Sequence, residues 1–203
     1  MEPSFIIMKK TVTGIYGGSF NPIHNGHVAL ARAFLATGML DEVWLMVSPQ
    51  NPLKANDALL DDDTRLRMAQ AALADVPGVT ACDYEFGLPR PSYTWNTLQA
   101  LGRDYADREF VLLVGADNWQ HFGRWYHHDD ILRNYRMAVY PRPGYAIDAA
   151  DMPGGVTLLD TPLIDISSTQ VRRCIAEGTD FSAFVPPVVE AMIRREKLYL
   201  QPT

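Results

Sequence analysis

The sequence has few cysteines and no long apolar run, and these two absences exclude several classes of protein. Its two cysteines, Cys82 and Cys174, lie far apart and lack the spacing of metal ligands. A disulfide framework or a zinc knuckle is therefore not supported. The longest early apolar run, residues 5–8, is far too short for a signal peptide or a membrane span. We expect a cytoplasmic protein with no membrane partner.

Positive charge is also scarce, because 18 Lys and Arg residues face 24 Asp and Glu residues, for a net charge of -6. Nucleic-acid surfaces depend on fields of Lys and Arg, so we expect no nucleic-acid partner. Any phosphate group must then be bound locally. With 47% hydrophobic residues, the 203-residue chain can bury one sizeable core, and we expect a single domain over residues 1–203. An alternative start at Met8 would make residues 1–7 a loose extension.

Strands and helices are predicted to alternate along the chain, with residues 11–16 forming a first strand and residues 26–37 a first helix. Further strands are predicted over residues 42–47, 79–82, 109–114, 136–140 and 156–159. Further helices are predicted over residues 61–73, 94–105, 168–177 and 187–196. This alternation predicts an α/β fold, a Rossmann-like doubly wound, mostly parallel sheet with helices on both faces. Ligands of such folds bind beyond the carboxyl ends of the strands.

The segment GGSFNPIHNGH, residues 17–27, follows the first predicted strand. Gly17 and Gly18 allow a ligand to approach the backbone closely, and the next helix would direct its first amides at an anion. The two common phosphate-loop patterns, G-x-G-x-x-G and the one ending in GK[ST], are both missing from this segment. His24 and His27 could both donate imidazole N–H groups to phosphate oxygens. Alternatively, one is a helix cap and the other a surface residue.

The segment ISSTQVRR, residues 166–173, lies where a loop is predicted to enter a helix. Ser167, Ser168 and Thr169 offer capping oxygens and hydroxyl donors, and Arg172 follows about one turn later. A fork-shaped cation near a helix N-terminus suits a triphosphate. The alternative is plain N-capping beside a solvated arginine.

A third candidate region, GADN at residues 115–118, follows the most apolar predicted strand. Asp117 at a strand end is well placed to accept hydrogen bonds from ribose hydroxyls, and Trp125 could stack on a flat base. Alternatively, Trp125 is a half-buried packing residue. Residues 127–130, HHDD, are of types that bind metal ions. Adjacent residues do not share a helix face, however, and we interpret this segment as a solvated surface segment.

Taken together, the first two motifs resemble the signatures of the H-x-G-H nucleotidyltransferase superfamily and, within it, the nicotinate-nucleotide adenylyltransferases. Residues 92–94, SYT, and the GAD-x7-W pattern resemble segments of the same family. Two positions differ from the usual pattern of the family. Asn21 stands where many members have Asp, and Leu53 stands where His often precedes a phosphate-binding lysine, which is Lys54 in this sequence. The differences leave open a role for a charge at the first position and a polar contact at the second.

The resemblance implies transfer of the adenylyl group of ATP to nicotinate mononucleotide in NAD biosynthesis, giving deamido-NAD and pyrophosphate. It implies Mg²⁺ that arrives with ATP, with no metal-binding residues of the protein, and it is compatible with a homo-oligomer. The alternatives are nicotinamide mononucleotide or phosphopantetheine as the acceptor, or a nucleotide-binding sensor without chemistry.

The family pattern also implies roles for individual residues. The candidate catalytic residues are His24, His27 and Arg172. The candidate ATP-binding residues are Gly17, Gly18, Ser19, Phe20, Gly115, Asp117, Ile166, Ser168 and Thr169. The candidate acceptor-binding residues are Lys54, Tyr93, Thr94, Asn118, Trp125 and Arg142.

Overall fold

The computed structural model of the protein describes residues 9–49 and 59–200. Within them, the strands are β1 (Thr11–Gly18), β2 (Glu42–Val47), β3 (Val79–Cys82), β4 (Arg108–Gly115), β5 (Arg136–Tyr140) and β6 (Val156–Leu158). They form one sheet in the order β3-β2-β1-β4-β5-β6, and every neighbouring pair is parallel. The predicted α/β fold with a parallel sheet is confirmed.

The helices of the described residues are α1 (Asn25–Ala36), α2 (Asp62–Leu73), α3 (Thr94–Asp104), α4 (Ala116–Trp119), α5 (His128–Asn134), α6 (Ser168–Ala176) and α7 (Pro187–Glu196). Side-chain caps explain where two of them begin. Asp61 accepts a hydrogen bond from the Thr64 N–H at the start of α2, and Ser167 accepts one from the Gln170 N–H at the start of α6. None of the helices in the described part of the chain is long and apolar enough to cross a membrane.

Apolar side chains alternate between the two faces of β4, and each face contributes to a different core. Val111 and Leu113 belong to a core that includes side chains of α1, α2, α6 and α7. Phe110, Leu112 and Val114 belong to a second core with side chains of α3 and α5. Because successive residues of a strand point to opposite faces, an apolar strand of this kind must be covered on both sides.

The strand order reverses at β1, which pairs with β2 on one side and with β4 on the other. Connections that leave neighbouring strands on opposite sides open a crevice at their carboxyl ends. The segments after β1 and after β4 therefore meet at one edge of the sheet, and both carry candidate residues.

One expected strand end was wrong, and α4 and α5 were not predicted. The first strand does not stop before the glycines but continues through Gly17 and Gly18, which pair with Met46 and Val47 of β2. In the HHDD segment, His127 and Asp129 are exposed, as predicted for a surface segment. Residues 128–134 nevertheless form α5. That helix is only seven residues long and buries one side chain, Ile131, so its apolar periodicity is too short to recognise.

Candidate active site

The turn after β1 brings backbone close to a buried aromatic ring. A Cβ atom on Gly18 would lie 3.0 Å from the ring of Phe20, so the turn leaves little room for a side chain there. Phe20 itself is buried and has a φ of 46°, in the left-handed region that non-glycine residues rarely adopt. Its ring packs edge-on against His27, with the ring centroids 4.9 Å apart. Packing of Phe20 thus holds the turn directly beside His27.

His24 and His27 cap the start of α1 reciprocally. The Nδ1 atom of His24 accepts from the backbone N–H of His27 at 3.3 Å, and the Nδ1 atom of His27 accepts from the backbone N–H of His24 at 3.2 Å. The two rings stack with centroids 3.5 Å apart. Because each Nδ1 is an acceptor, each neutral ring carries its proton on Nε2. The capping role and a donor role are therefore compatible, because capping uses Nδ1 of each ring and leaves an N–H donor at Nε2.

Both imidazoles are held in the neutral form. Burial of His24, whose side chain is 3% exposed, lowers its pKa from 6.5 to about 3, and the positive charge of Arg142 acts in the same direction. Burial also lowers the pKa of His27 well below 6.5, with His24 and Arg142 as further causes. At neutral pH the pair consequently offers two uncharged hydrogen-bond donors.

The ISST segment docks on this turn although it lies far away in sequence. The hydroxyl of Ser168 donates to the carbonyl of Pro22 at 2.9 Å, across 146 residues. The guanidinium of Arg172 donates to the carbonyl of Asn21 at 2.7 Å and to the hydroxyl of Thr169 at 3.2 Å. The two motifs thus meet in the fold, and Arg172 lies at their junction.

Side-chain contacts also explain Gly26 in the HNGH sequence. A Cβ atom there would lie 2.6 Å from Cγ2 of Ile164 and 3.0 Å from Nδ1 of His24. Glycine therefore lets the segment before α6 pack against α1 without displacing the imidazole. Ile166, the predicted ATP-binding residue in this segment, is half-buried.

Asp117 and Arg142 form a charged pair at the carboxyl ends of β4 and β5, with Arg142 Nε 3.8 Å from Asp117 Oδ1. A Cβ atom on Gly115 would lie 2.5 Å from the same carboxylate oxygen, so glycine permits Asp117 to fold back over the strand end. Arg142, a predicted acceptor-binding residue, thus lies beside Asp117, and its positive charge acts on both histidines.

Beside this cluster lies a cavity of about 430 Å³. Its wall includes eight of the predicted site residues, namely Gly17, Gly18, Ser19, Tyr93, Thr94, Gly115, Asn118 and Trp125. The other predicted residues of the described part stand outside this wall, namely Phe20, His24, His27, Asp117, Arg142, Ile166, Ser168, Thr169 and Arg172. Lys54 lies outside the described residues. The site thus has two neighbouring parts, a cavity and a cluster around the paired motifs.

Several residues of the cavity wall were not predicted from the sequence, namely Ser48, Glu85, Ser92, Thr97, His121, Arg124, Tyr126 and Tyr140. Glu85 is a buried carboxyl that accepts a hydrogen bond from the Thr97 hydroxyl at 2.8 Å. Burial raises the pKa of Glu85, and the hydroxyls of Thr97 and Ser48 oppose that shift. Among these residues, only Ser92 could have been predicted from the sequence, since it adjoins Tyr93 and Thr94. The other residues come from separate segments that share no motif or spacing.

We predict that the histidine pair makes the protein sensitive to acid. Between pH 6.5 and about 3, the unfolded chain binds a proton at His24 that the folded protein excludes, so stability falls as pH falls. His24→Asn keeps a capping oxygen, and we expect it to reduce the slope of unfolding free energy against pH by up to about 1.4 kcal/mol per unit. Urea unfolding at pH 7, 6, 5 and 4 measures the slope for the wild-type protein and for His24→Asn. Equal slopes for the two proteins would contradict the prediction.

Comparison with known proteins adds to this geometry. A profile of the cytidylyltransferase-like family matches residues 15–174. A probable nicotinate-nucleotide adenylyltransferase of Bacteroides fragilis is 46% identical over 182 residues, which cover 90% of each chain. A protein of the same name from Bacteroides thetaiotaomicron is 46% identical over 185 residues, covering 91% of this chain and 92% of that protein.

A solved structure has the same fold at low sequence identity. Plasmodium falciparum nicotinic acid mononucleotide adenylyltransferase, complexed with NaAD, superposes with a TM-score of 0.80 at 18% identity, over 93% of this chain and 97% of that one. The family profile spans most of the chain, and the curated relatives match it almost end to end. This chain therefore belongs to the nicotinate-nucleotide adenylyltransferases, a family of nucleotidyltransferase enzymes with the cytidylyltransferase-like fold.

Proposed function

We propose that this enzyme transfers the adenylyl group of ATP to nicotinate mononucleotide, giving deamido-NAD and pyrophosphate. The observation that carries the proposal is the junction of the two motifs, where Arg172 and Ser168 bond to the carbonyls of Asn21 and Pro22. This junction joins a cation and a hydroxyl to the turn that leads into the histidine pair. An aromatic-lined cavity adjoins it.

In the proposed reaction, a phosphate oxygen of the acceptor forms a bond to the α-phosphorus of ATP, and the bond from that phosphorus to the pyrophosphate oxygen breaks. The attacking phosphate is already an anion, so no general base is required. Catalysis then depends on aligning the two nucleotides and on stabilising charge that grows on the α-phosphoryl and leaving oxygens. His24 and His27 would donate to these oxygens, and Arg172 would neutralise charge on the triphosphate.

The glycine turn and the ISST segment would hold the remaining triphosphate contacts. The amides of residues 17–20 would approach the phosphates, and the backbone N–H of Ser168, the Thr169 hydroxyl and the Ile166 backbone would supply further contacts. Asp117 at the end of β4 would accept from ribose hydroxyls. Gly115 would allow the nucleotide to approach the strand end.

Mg²⁺ is expected to arrive with ATP. Among the described residues, no group of three or more His, Cys, Asp or Glu side chains lies close enough together to hold a metal ion. An ion held mainly by ATP oxygens and water would need no such group. When bound, the ion would neutralise phosphate charge.

The cavity suits a flat acceptor ring. Trp125, Tyr126 and Tyr93 lie in its wall, and the two tyrosine rings have centroids 4.8 Å apart. Thr94 begins α3, and the capping residue Tyr93 makes no side-chain bond to the first-turn amides. Those amides could therefore meet the nicotinate carboxylate. These features favour a pyridine nucleotide over phosphopantetheine, which has no ring to stack.

Three other predicted residues keep their place in the proposal. Asn118 in the cavity wall would bind the acceptor, and so would Arg142, which pairs with Asp117. Lys54 is proposed from its position in the sequence to contact a phosphate. We place the reaction in the cytoplasm, because charged nucleotides do not cross an apolar bilayer unaided.

The function is tested by pyrophosphate release from Mg-ATP with nicotinate mononucleotide, nicotinamide mononucleotide or phosphopantetheine as the acceptor. Strong preference for the first is expected. Preference for either of the others would preserve the chemistry and overturn the acceptor assignment. ATP that binds without turnover in the presence of any acceptor would indicate a sensor.

We predict that His27→Ala lowers kcat by about 100-fold or more, because one donor to the developing charge is lost. Asn25→Ala, in the same motif, is the matched control, since its side chain bonds instead to the carbonyl of Ala183 at 3.0 Å. Steady-state kinetics and thermal unfolding of both variants measure the effect. Near-normal turnover in a folded His27→Ala protein would refute the assigned role.

We predict that Trp125→Ala raises KM for nicotinate mononucleotide by about 10-fold or more, because a stacking surface worth 1–3 kcal/mol is lost. Trp119→Ala is a matched control. Both indoles pack on Phe122 at a centroid distance of 5.3 Å, but only Trp125 lines the cavity. Equal increases in KM for the two variants would show that Trp125 is a packing residue.

A further inference from the structure

Arg65 is a completely buried arginine in the first turn of α2. This position is unfavourable for a cation in two ways. Burial removes its hydration, and the N-terminal end of a helix favours negative charge. The contacts that Arg65 makes must therefore account for it.

Those contacts are mostly with backbone carbonyls from three segments. The Nη1 group donates to the carbonyl of Ser19 at 2.6 Å and to the carbonyl of Ser48 at 2.8 Å. The Nε group donates to the carbonyl of Leu60 at 3.0 Å, and Nη2 pairs with the carboxylate of Asp62. One guanidinium thus joins the turn after β1, the end of β2 and the start of α2.

The bond to Ser19 sets the direction of a neighbouring amide. In a planar trans peptide the carbonyl and the following N–H point in opposite directions, so the N–H of Phe20 points away from Arg65. The carbonyl of Gly18 is likewise occupied by the N–H of Ser48 at 2.9 Å, which turns the N–H of Ser19 away from β2. Gly18 and Ser19 both line the cavity. Two successive amides, those of Ser19 and Phe20, thus point away from the anchors of their peptides.

The same bond supports an unfavourable backbone conformation. Phe20 has a φ of 46°, and such conformations persist only where the surroundings enforce them. Its ring packs against Tyr16 at 5.6 Å and His27 at 4.9 Å between centroids, while Arg65 holds the carbonyl just before it. Loss of the guanidinium would let the Ser19–Phe20 peptide rotate.

We propose that Arg65 is a positioning residue that orients the amides of Ser19 and Phe20 toward the phosphates of ATP. The proposal rests on the proposed function, in which residues 17–20 bind ATP. Lysine cannot replace arginine in this role, because one ammonium group lacks the planar fork that reaches three carbonyls at once.

The test compares Arg65→Lys with Arg67→Lys. Arg67 lies on the same helix, is half exposed and pairs with Glu196 at 3.2 Å. Calorimetry would measure the affinity for Mg-ATP without acceptor, and competition would measure the affinity for adenosine. We expect Arg65→Lys to weaken Mg-ATP about 10-fold or more but adenosine less than about 3-fold, because the amides contact phosphate alone. Arg67→Lys should leave both affinities unchanged.

Thermal unfolding and a second variant complete the experiment. Arg65→Gln, whose amide cannot reach all three carbonyls, should show the same selective loss of ATP affinity. Equal weakening of ATP and adenosine, unchanged ATP affinity, or loss of cooperative unfolding in both variants would overturn the positioning role. If the wild-type protein fails to bind Mg-ATP, the proposed function is wrong. If the wild-type protein and the Arg65 variants bind Mg-ATP equally well, only the positioning role is wrong.

Discussion

The site depends on the parallel pairing of β1 with β4. Both strands run in the same direction, so the chain leaves both at the same edge of the sheet, and the order reverses there. The glycine turn after β1 and the Gly115 to Asn118 segment after β4 are neighbours for this reason. Moving either strand to another place in the sheet would separate them, whatever their sequences.

A second constraint is the low positive charge of the chain, which has a net charge of -6 yet is proposed to bind two phosphate-bearing substrates. The structure uses its cations singly. Arg172 joins the two motifs, Arg142 pairs with Asp117, and Arg65 is enclosed by carbonyls. The histidines add donors without adding charge, since burial keeps them neutral. Preorganised dipoles of this kind can stabilise developing charge without a broad positive surface.

The two parts of the site share a wall. Gly17 and Gly18 belong to the cavity and lead directly into the histidine turn, while Tyr140 lines the cavity and packs against Tyr16 at 5.9 Å between ring centroids. Tyr16 in turn contacts Phe20 and His27. The cavity and the cluster at the paired motifs are therefore neighbours joined by one aromatic packing unit, and in-line attack would require the two nucleotides to meet where these two parts adjoin.

The sequence by itself determined the elements whose signals are local. Apolar runs predicted the strands, and the hydroxyls of the ISST segment, which include the Ser167 cap, indicated the start of α6. The GGSFNPIHNGH and ISSTQVRR motifs could be recognised because the residues of each lie close together in the sequence. Only the tertiary structure decided the place of Arg142, the buried Glu85 and the function we infer for Arg65. Arg65 looks like any charged helical residue, and its partner Ser19 is 46 residues away. Such contacts depend on the order of strands in the sheet, which periodicity and capping do not encode.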